Sequence, residues 1–214
     1  MSNILSTVSL YSVFLPLIVG IINYRQIEAS ANILLLIIMF ACVPHIATIV
    51  SPKGSLPVIY YNGYIFIDAL LWPLFYFLSS KALKIRKLFL ILMVLNLSMV
   101  VSYVLISGYA KRFYYEMVCV NSVFQTILVT IYFFELNNSN KLILLKKEPG
   151  FWFSLGLLFY ATCTFFIFLF YYKINKYFTK SQLNQLWIIH HFFNAFMYIL
   201  FAIGLSIKKS KKNV

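Results

Sequence analysis

Seven apolar runs, each about the length of a bilayer-crossing helix, follow one another with little chain between them. They lie at residues 4–24, 31–50, 58–79, 88–107, 113–135, 151–172 and 186–207. In hydrocarbon every backbone amide must be bonded internally, which a helix achieves within one segment. The runs therefore predict an all-α polytopic membrane protein, a single bundle of seven transmembrane helices over residues 1–214. Composition agrees: 62% of residues are hydrophobic and 11% charged, more apolar surface than a soluble core of this size can hide. No length remains for a soluble domain of typical size, so a catalytic or DNA-binding module is expected on another polypeptide. The start, Met1-Ser2-Asn3, has neither a basic leader nor a small-residue cleavage site, and the first run reads as a span.

Between the runs the chain is basic, with a net charge of +13. Twelve Lys and Arg fall in the segments on the C-terminal side, six in those on the N-terminal side. Positive charge collects on the cytoplasmic face, so the N-terminus is expected outside and the C-terminus inside. Basic residues so placed serve lipid headgroups and topology, and nucleic acid is not an expected partner. Lys84, Arg86, Lys87, Lys146, Lys147, Lys208 and Lys209 are the candidate contacts for anionic lipid or a cytoplasmic signalling partner. Residues 136–150 carry an Asn-Ser turn signal, then a Leu-Ile-Leu-Leu patch between lysines. That patch is too short to span and is expected at the interface or in a short hairpin. Paired aromatics such as Tyr60-Tyr61, Tyr114-Tyr115, Phe151-Trp152 and Tyr171-Tyr172 read as interfacial belts.

Polar groups at membrane depth are expensive and mark candidate function. Asp68 falls midway along the third run, with Tyr61, Tyr64, Trp72 and Phe75 on its face. His45, Asn62, Glu116, Asn121, His190, His191 and Asn194 fall on the outward half or near the midplane. Asn121 and Gln125 share a face, as do His190 and Asn194. These nine residues are the candidate pocket for a small-molecule ligand; interhelical packing is the competing role. Pro44, just before His45, frees a carbonyl and can bend its helix there.

Other chemistries find less support. One of the adjacent histidines with His45 and Glu116 would make a plausible zinc set, yet no HExxH or HxxxH spacing demands it. Cys42, Cys119 and Cys163 lie inside apolar runs with no CxxC, so small apolar packing is their expected role. No GxSxG occurs, and the last run holds no lysine before Lys208 for a retinal Schiff base. No metal and no cofactor is expected.

Two stretches carry a resemblance. Residues 149–160 read Pro-Gly-Phe-Trp-Phe-Ser-Leu-Gly-Leu-Leu-Phe-Tyr, and residues 186–194 read Leu-Trp-Ile-Ile-His-His-Phe-Phe-Asn. Together they resemble the last two spans of small seven-helix proteins of Bacteroidota, some standalone and some fused to histidine kinases as the membrane sensor region. The resemblance implies a sensor role in a bacterial cytoplasmic (inner) membrane, and with the chain ending at Val214 it implies a separate signalling partner. A secondary transporter and an intramembrane enzyme are the alternatives. Prolines interrupt the first three runs and none of the last three, which lacks the matched halves of a repeat transporter.

Overall fold

The structure is a computed structural model describing residues 2–51, 58–108, 112–138 and 145–208. Among these the chain is all-helical, with no strand, and seven of its helices are long and apolar enough to cross a membrane. The first span is two helices end to end, α1 (Ser2–Ser12) and α2 (Phe14–Asn23), with Val13 itself helical between them. The others are α3 (Ala29–Val50), α4 (Val58–Ser79), α5 (Leu83–Ser107), α6 (Tyr115–Asn137), α7 (Pro149–Leu169) and α9 (Lys180–Ser206). A short helix α8 (Tyr171–Tyr177) follows α7. With seven spans the termini fall at opposite ends of the bundle, named here the N-side and the C-side.

Several boundaries depart from the hydrophobic pattern for local reasons. The fourth span begins at Leu83, not residue 88, taking in the basic turn Lys84–Lys87. Its N-cap, Ala82, has no side chain to offer. Glu135 of α6 supplies the missing acceptor, taking bonds from the backbone N–H groups of Lys81 (2.7 Å) and Ala82 (3.0 Å). The last span begins at Lys180, because Thr179 and Gln182 form a capping box ahead of the apolar run. The sixth ends at Leu169 instead of running to 172, and the fifth covers 115–137 in place of 113–135. α3 runs unbroken past Pro44. Lys209 and residues 142–144 of the apolar patch lie outside the described residues; Leu145–Lys147 is a single 3₁₀ turn.

α9 is the central partner of the bundle, packing on α1, α2 and α7. α7 packs in turn on α6, α3 on α4, and α2 bridges α9 to α3. α5 lies against α4 and α6, and buries only Phe89, Asn96 and Val100. Its remaining apolar surface fits a helix facing lipid. In the C-side half the interior is aromatic. Trp72, Phe75, Tyr76, Phe89, Phe153 and Phe201 pack as one cluster, and neighbouring rings such as Phe75 and Phe153 lie 5.8 Å apart. The polar members are satisfied: the Tyr76 and Ser154 hydroxyls share a bond of 3.0 Å.

Candidate functional site: a polar cavity in the N-side half

Above that aromatic floor the helices leave a chamber of about 140 Å³. Asp68 sits on its wall at mid-depth, held by two neutral donors. Trp72 Nε1 bonds one carboxyl oxygen (3.1 Å) and Gln125 Nε2 the other (3.1 Å). Tyr64, one turn before on the same helix, lines the chamber beside it. The i,i+4 spacing of Tyr64, Asp68 and Trp72 puts all three on one helix face. Asn121 continues the polar line: its Oδ1 accepts from Asn96 Nδ2 at 2.6 Å, and its own amide donates to the Ile65 carbonyl at 3.4 Å.

A wider vestibule of about 350 Å³ adjoins the chamber toward the N-side. His45, Tyr61, Tyr160, His190 and Asn194 line both, so the two are parts of one cleft. Its walls are tied by long-range bonds. His45 Nδ1 lies 3.0 Å from the Leu10 carbonyl, linking α3 to α1. Asn194 donates to Ser9 Oγ at 2.8 Å, and His191 Nδ1 lies 3.3 Å from the same oxygen, linking α9 to α1. The adjacent histidines diverge, as helical geometry requires. His190 turns to the chamber among the rings of Tyr160 (5.6 Å), Phe168 (6.0 Å) and Trp187 (5.6 Å). Its Nδ1 is buried with no hydrogen-bond partner among the described residues.

The structure thus brings six of the nine candidates, His45, Asp68, Asn121, Gln125, His190 and Asn194, to one chamber, with His191 on the vestibule. Asn62 and Glu116 do other work. Asn62 is fully buried; it donates to the Arg112 carbonyl (2.8 Å) and accepts from the Tyr114 N–H (3.1 Å). Glu116 pairs with Arg112 at 2.8 Å on the surface, one turn away. Both fasten the segment leading into α6. With Glu116 so engaged, the zinc set does not assemble, and among the described residues no three His, Cys, Asp or Glu group for a metal.

Sequence reasoning missed several members. Tyr61, placed on the face of Asp68 as well as in an interfacial pair, lines the cleft with it, whereas Tyr114, expected in an interfacial belt, is fully buried, its hydroxyl donating to the Gly108 carbonyl at 2.6 Å. Asn96 lies at membrane depth, and the criterion that selected Asn121 would have selected it too. Tyr160 and Ser9 carry no such signal; only packing brings them to the site.

The basic candidates are accessible at the C-side. Lys84, Lys87, Lys146, Lys147 and Lys208 are exposed, while Arg86 is half-buried, donating to the Ser80 carbonyl (2.8 Å) with its guanidinium over the Phe77 ring. A groove of about 570 Å³ near them is lined by Tyr132, Glu135 and Glu148. Burial pushes the Glu148 carboxyl above the ordinary glutamate range, and nearby Glu28 adds to it; Lys81 and the Tyr132 hydroxyl partly offset the shift.

No protein-family model, curated protein or solved structure matches the chain.

Proposed function

We propose that the protein is a receptor-like sensor, or an accessory signalling component, of a bacterial cytoplasmic membrane. The N-side cleft faces outward and takes a small molecule, and the basic C-side faces the cytoplasm. The observation that carries this reading is the aromatic floor. The chamber is closed toward the C-side by Trp72, Phe201 and the cluster around them, so a ligand is held without a continuation of the cleft in that direction. A ligand that binds one packing of these helices better than another shifts the bundle, and the shift is read where the C-side segments meet a partner. The twelve-to-six basic asymmetry supports the orientation, and the resemblance of the last two spans to kinase sensor regions supports the role. Lys84, Lys87, Lys146, Lys147 and Lys208 are the contacts for that partner or for anionic lipid.

The test is a ligand-dependent thermal shift of the purified chain against small amines, alcohols and acids. His45, Asp68 and His190 are each changed to Ala. Each substitution is expected to weaken the shift given by a binding compound, and a shift untouched by all three refutes the cleft as the binding site. Uptake of that compound into proteoliposomes, abolished by Asp68→Asn, would overturn the sensor reading in favour of transport.

A further inference from the structure

We infer that the cleft selects a small organic cation, a protonated or quaternary amine whose charge sits against Asp68 and whose carbon atoms lie against the surrounding aromatic rings. The inference rests on the receptor reading and names the chemical class of its ligand.

Asp68 is the one acidic side chain on the chamber wall, and among the described residues no Lys or Arg lines the chamber with it. The groups bonded to it, Trp72 and Gln125, both donate, an arrangement that suits an ionised, acceptor-only carboxylate. Neither brings a positive charge, and among the described residues the ion pair formed is elsewhere, between Arg112 and Glu116. The carboxylate is positioned, hydrogen-bonded and, among the described residues, left without a counter-charge at a depth where a charge is costly. A cation from outside removes that cost, and two oxygens with roughly four acceptor positions still have room after two bonds.

The walls decide which cation. Tyr61, Trp72, Tyr160 and Tyr198 line the same chamber, and the negative faces of such rings attract an ammonium group while burying its methyl or methylene carbons. Rings do not replace the water shell of a small metal ion, which needs several oxygen ligands. The volume of about 140 Å³ is near that of a cavity known to admit one benzene-sized molecule, about 150 Å³, so the chamber itself takes a group of about that size. The unpartnered Nδ1 of His190 offers a second, neutral point of attachment for a hydroxyl or amide at the other end of the ligand.

The experiment uses the full chain in detergent, with choline as probe and dimethylbutanol, its uncharged isostere, as control. Sodium chloride at equal ionic strength is the second control. Choline should raise the melting temperature saturably, and the isostere and sodium should not. Asp68→Asn should abolish the shift. Tyr160→Leu should weaken choline roughly tenfold and Tyr160→Phe should restore it, because only the aromatic face is needed. This pair keeps the test decisive should the Asp68 variant fail to fold. Equal response to the isostere, loss of response in no variant, or no response to choline overturns the inference. A neutral compound or an acid that binds through His190 while choline does not would remove the cation and leave the receptor reading standing. Saturable choline binding accompanied by choline uptake into proteoliposomes would keep the cation and remove the receptor.

Discussion

Asn62 holds two backbone groups with one side-chain amide, and both lie in the turn before α6. The part-buried Arg112 carbonyl and the buried Tyr114 N–H have this amide as their partner. Asn62→Ala leaves both unpaired and should cost about 1–3 kcal/mol. Asn62→Asp keeps the acceptor and loses the donor, so it should fall between. Melting in detergent measures both; an Ala variant as stable as the parent would contradict the clamp. The sequence marks Asn62 as a polar residue near a membrane boundary and says no more. A residue's partner 50 positions away is set by packing, and neither spacing nor residue type carries it. Asp68 is the opposite case. Its partner Trp72 is local, one turn along the same helix, and the helical period alone puts both Trp72 and Tyr64 on its face. Gln125 was legible as a polar group sharing the face of Asn121, though not as the donor to that carboxylate.

The helices themselves were the most legible part, because hydrocarbon leaves the chain so few options. Their ends were less so. Hydropathy ends a helix where charge begins, whereas the backbone ends it where its N–H groups find acceptors. At the start of α9 the acceptor was in the sequence, as Thr179 three residues before Gln182. At the start of α5 it came from another helix, in Glu135, and no local pattern shows it. Glu135→Ala should fray the first turn of α5, costing about 1 kcal/mol and speeding amide exchange at Lys81 and Ala82. Unchanged exchange there would mean that some other group caps α5. Helix packing gives a second prediction. A Cβ at Gly204 would overlap the ring of Phe153, which is fully buried and packed in the aromatic cluster. At Gly156 the nearest atom is the Met197 carbonyl oxygen at 3.2 Å, a tighter contact than usual but short of overlap. Gly204→Ala should therefore lower the melting temperature more than Gly156→Ala, with a cost of about 1–3 kcal/mol. The reverse order would mean that the α7–α9 contact is set elsewhere.

At the scale of the molecule, polar and aromatic layers divide the interior, with the cleft toward the N-side and the aromatic cluster toward the C-side. Below that cluster Glu148, at the head of α7, accepts from Tyr132 of α6 at 3.4 Å and feels Glu28 before α3 and Lys81 before α5. Four chain segments thus meet at one carboxyl, and its titration reports on how the C-side is assembled. Burial and Glu28 raise its folded-state pKa above the value in the unfolded chain. The folded protein then holds the proton more tightly, so the stability linked to this group is fully present below the unfolded pKa. It is lost as pH rises through the folded one. The window opens at about pH 4.3, the ordinary value for glutamate, and extends upward from there. Glu148→Gln keeps an acceptor for the Tyr132 hydroxyl and has no proton to lose. The variant should melt with less dependence on pH over that window and should be the more stable protein at neutral pH. An unaltered slope would place the pH response on another group, and a variant less stable at neutral pH would mean that the attraction to Lys81 outweighs the cost of burial and of Glu28. A proton taken up here tightens the C-side without touching the cleft, so melting curves with and without a bound amine should shift together with pH in the parent protein. If the amine response itself changes with Glu148 protonation, the two ends of the bundle are coupled through α6 and α7, which carry Gln125 and Tyr160 at one end and Tyr132 and Glu148 at the other.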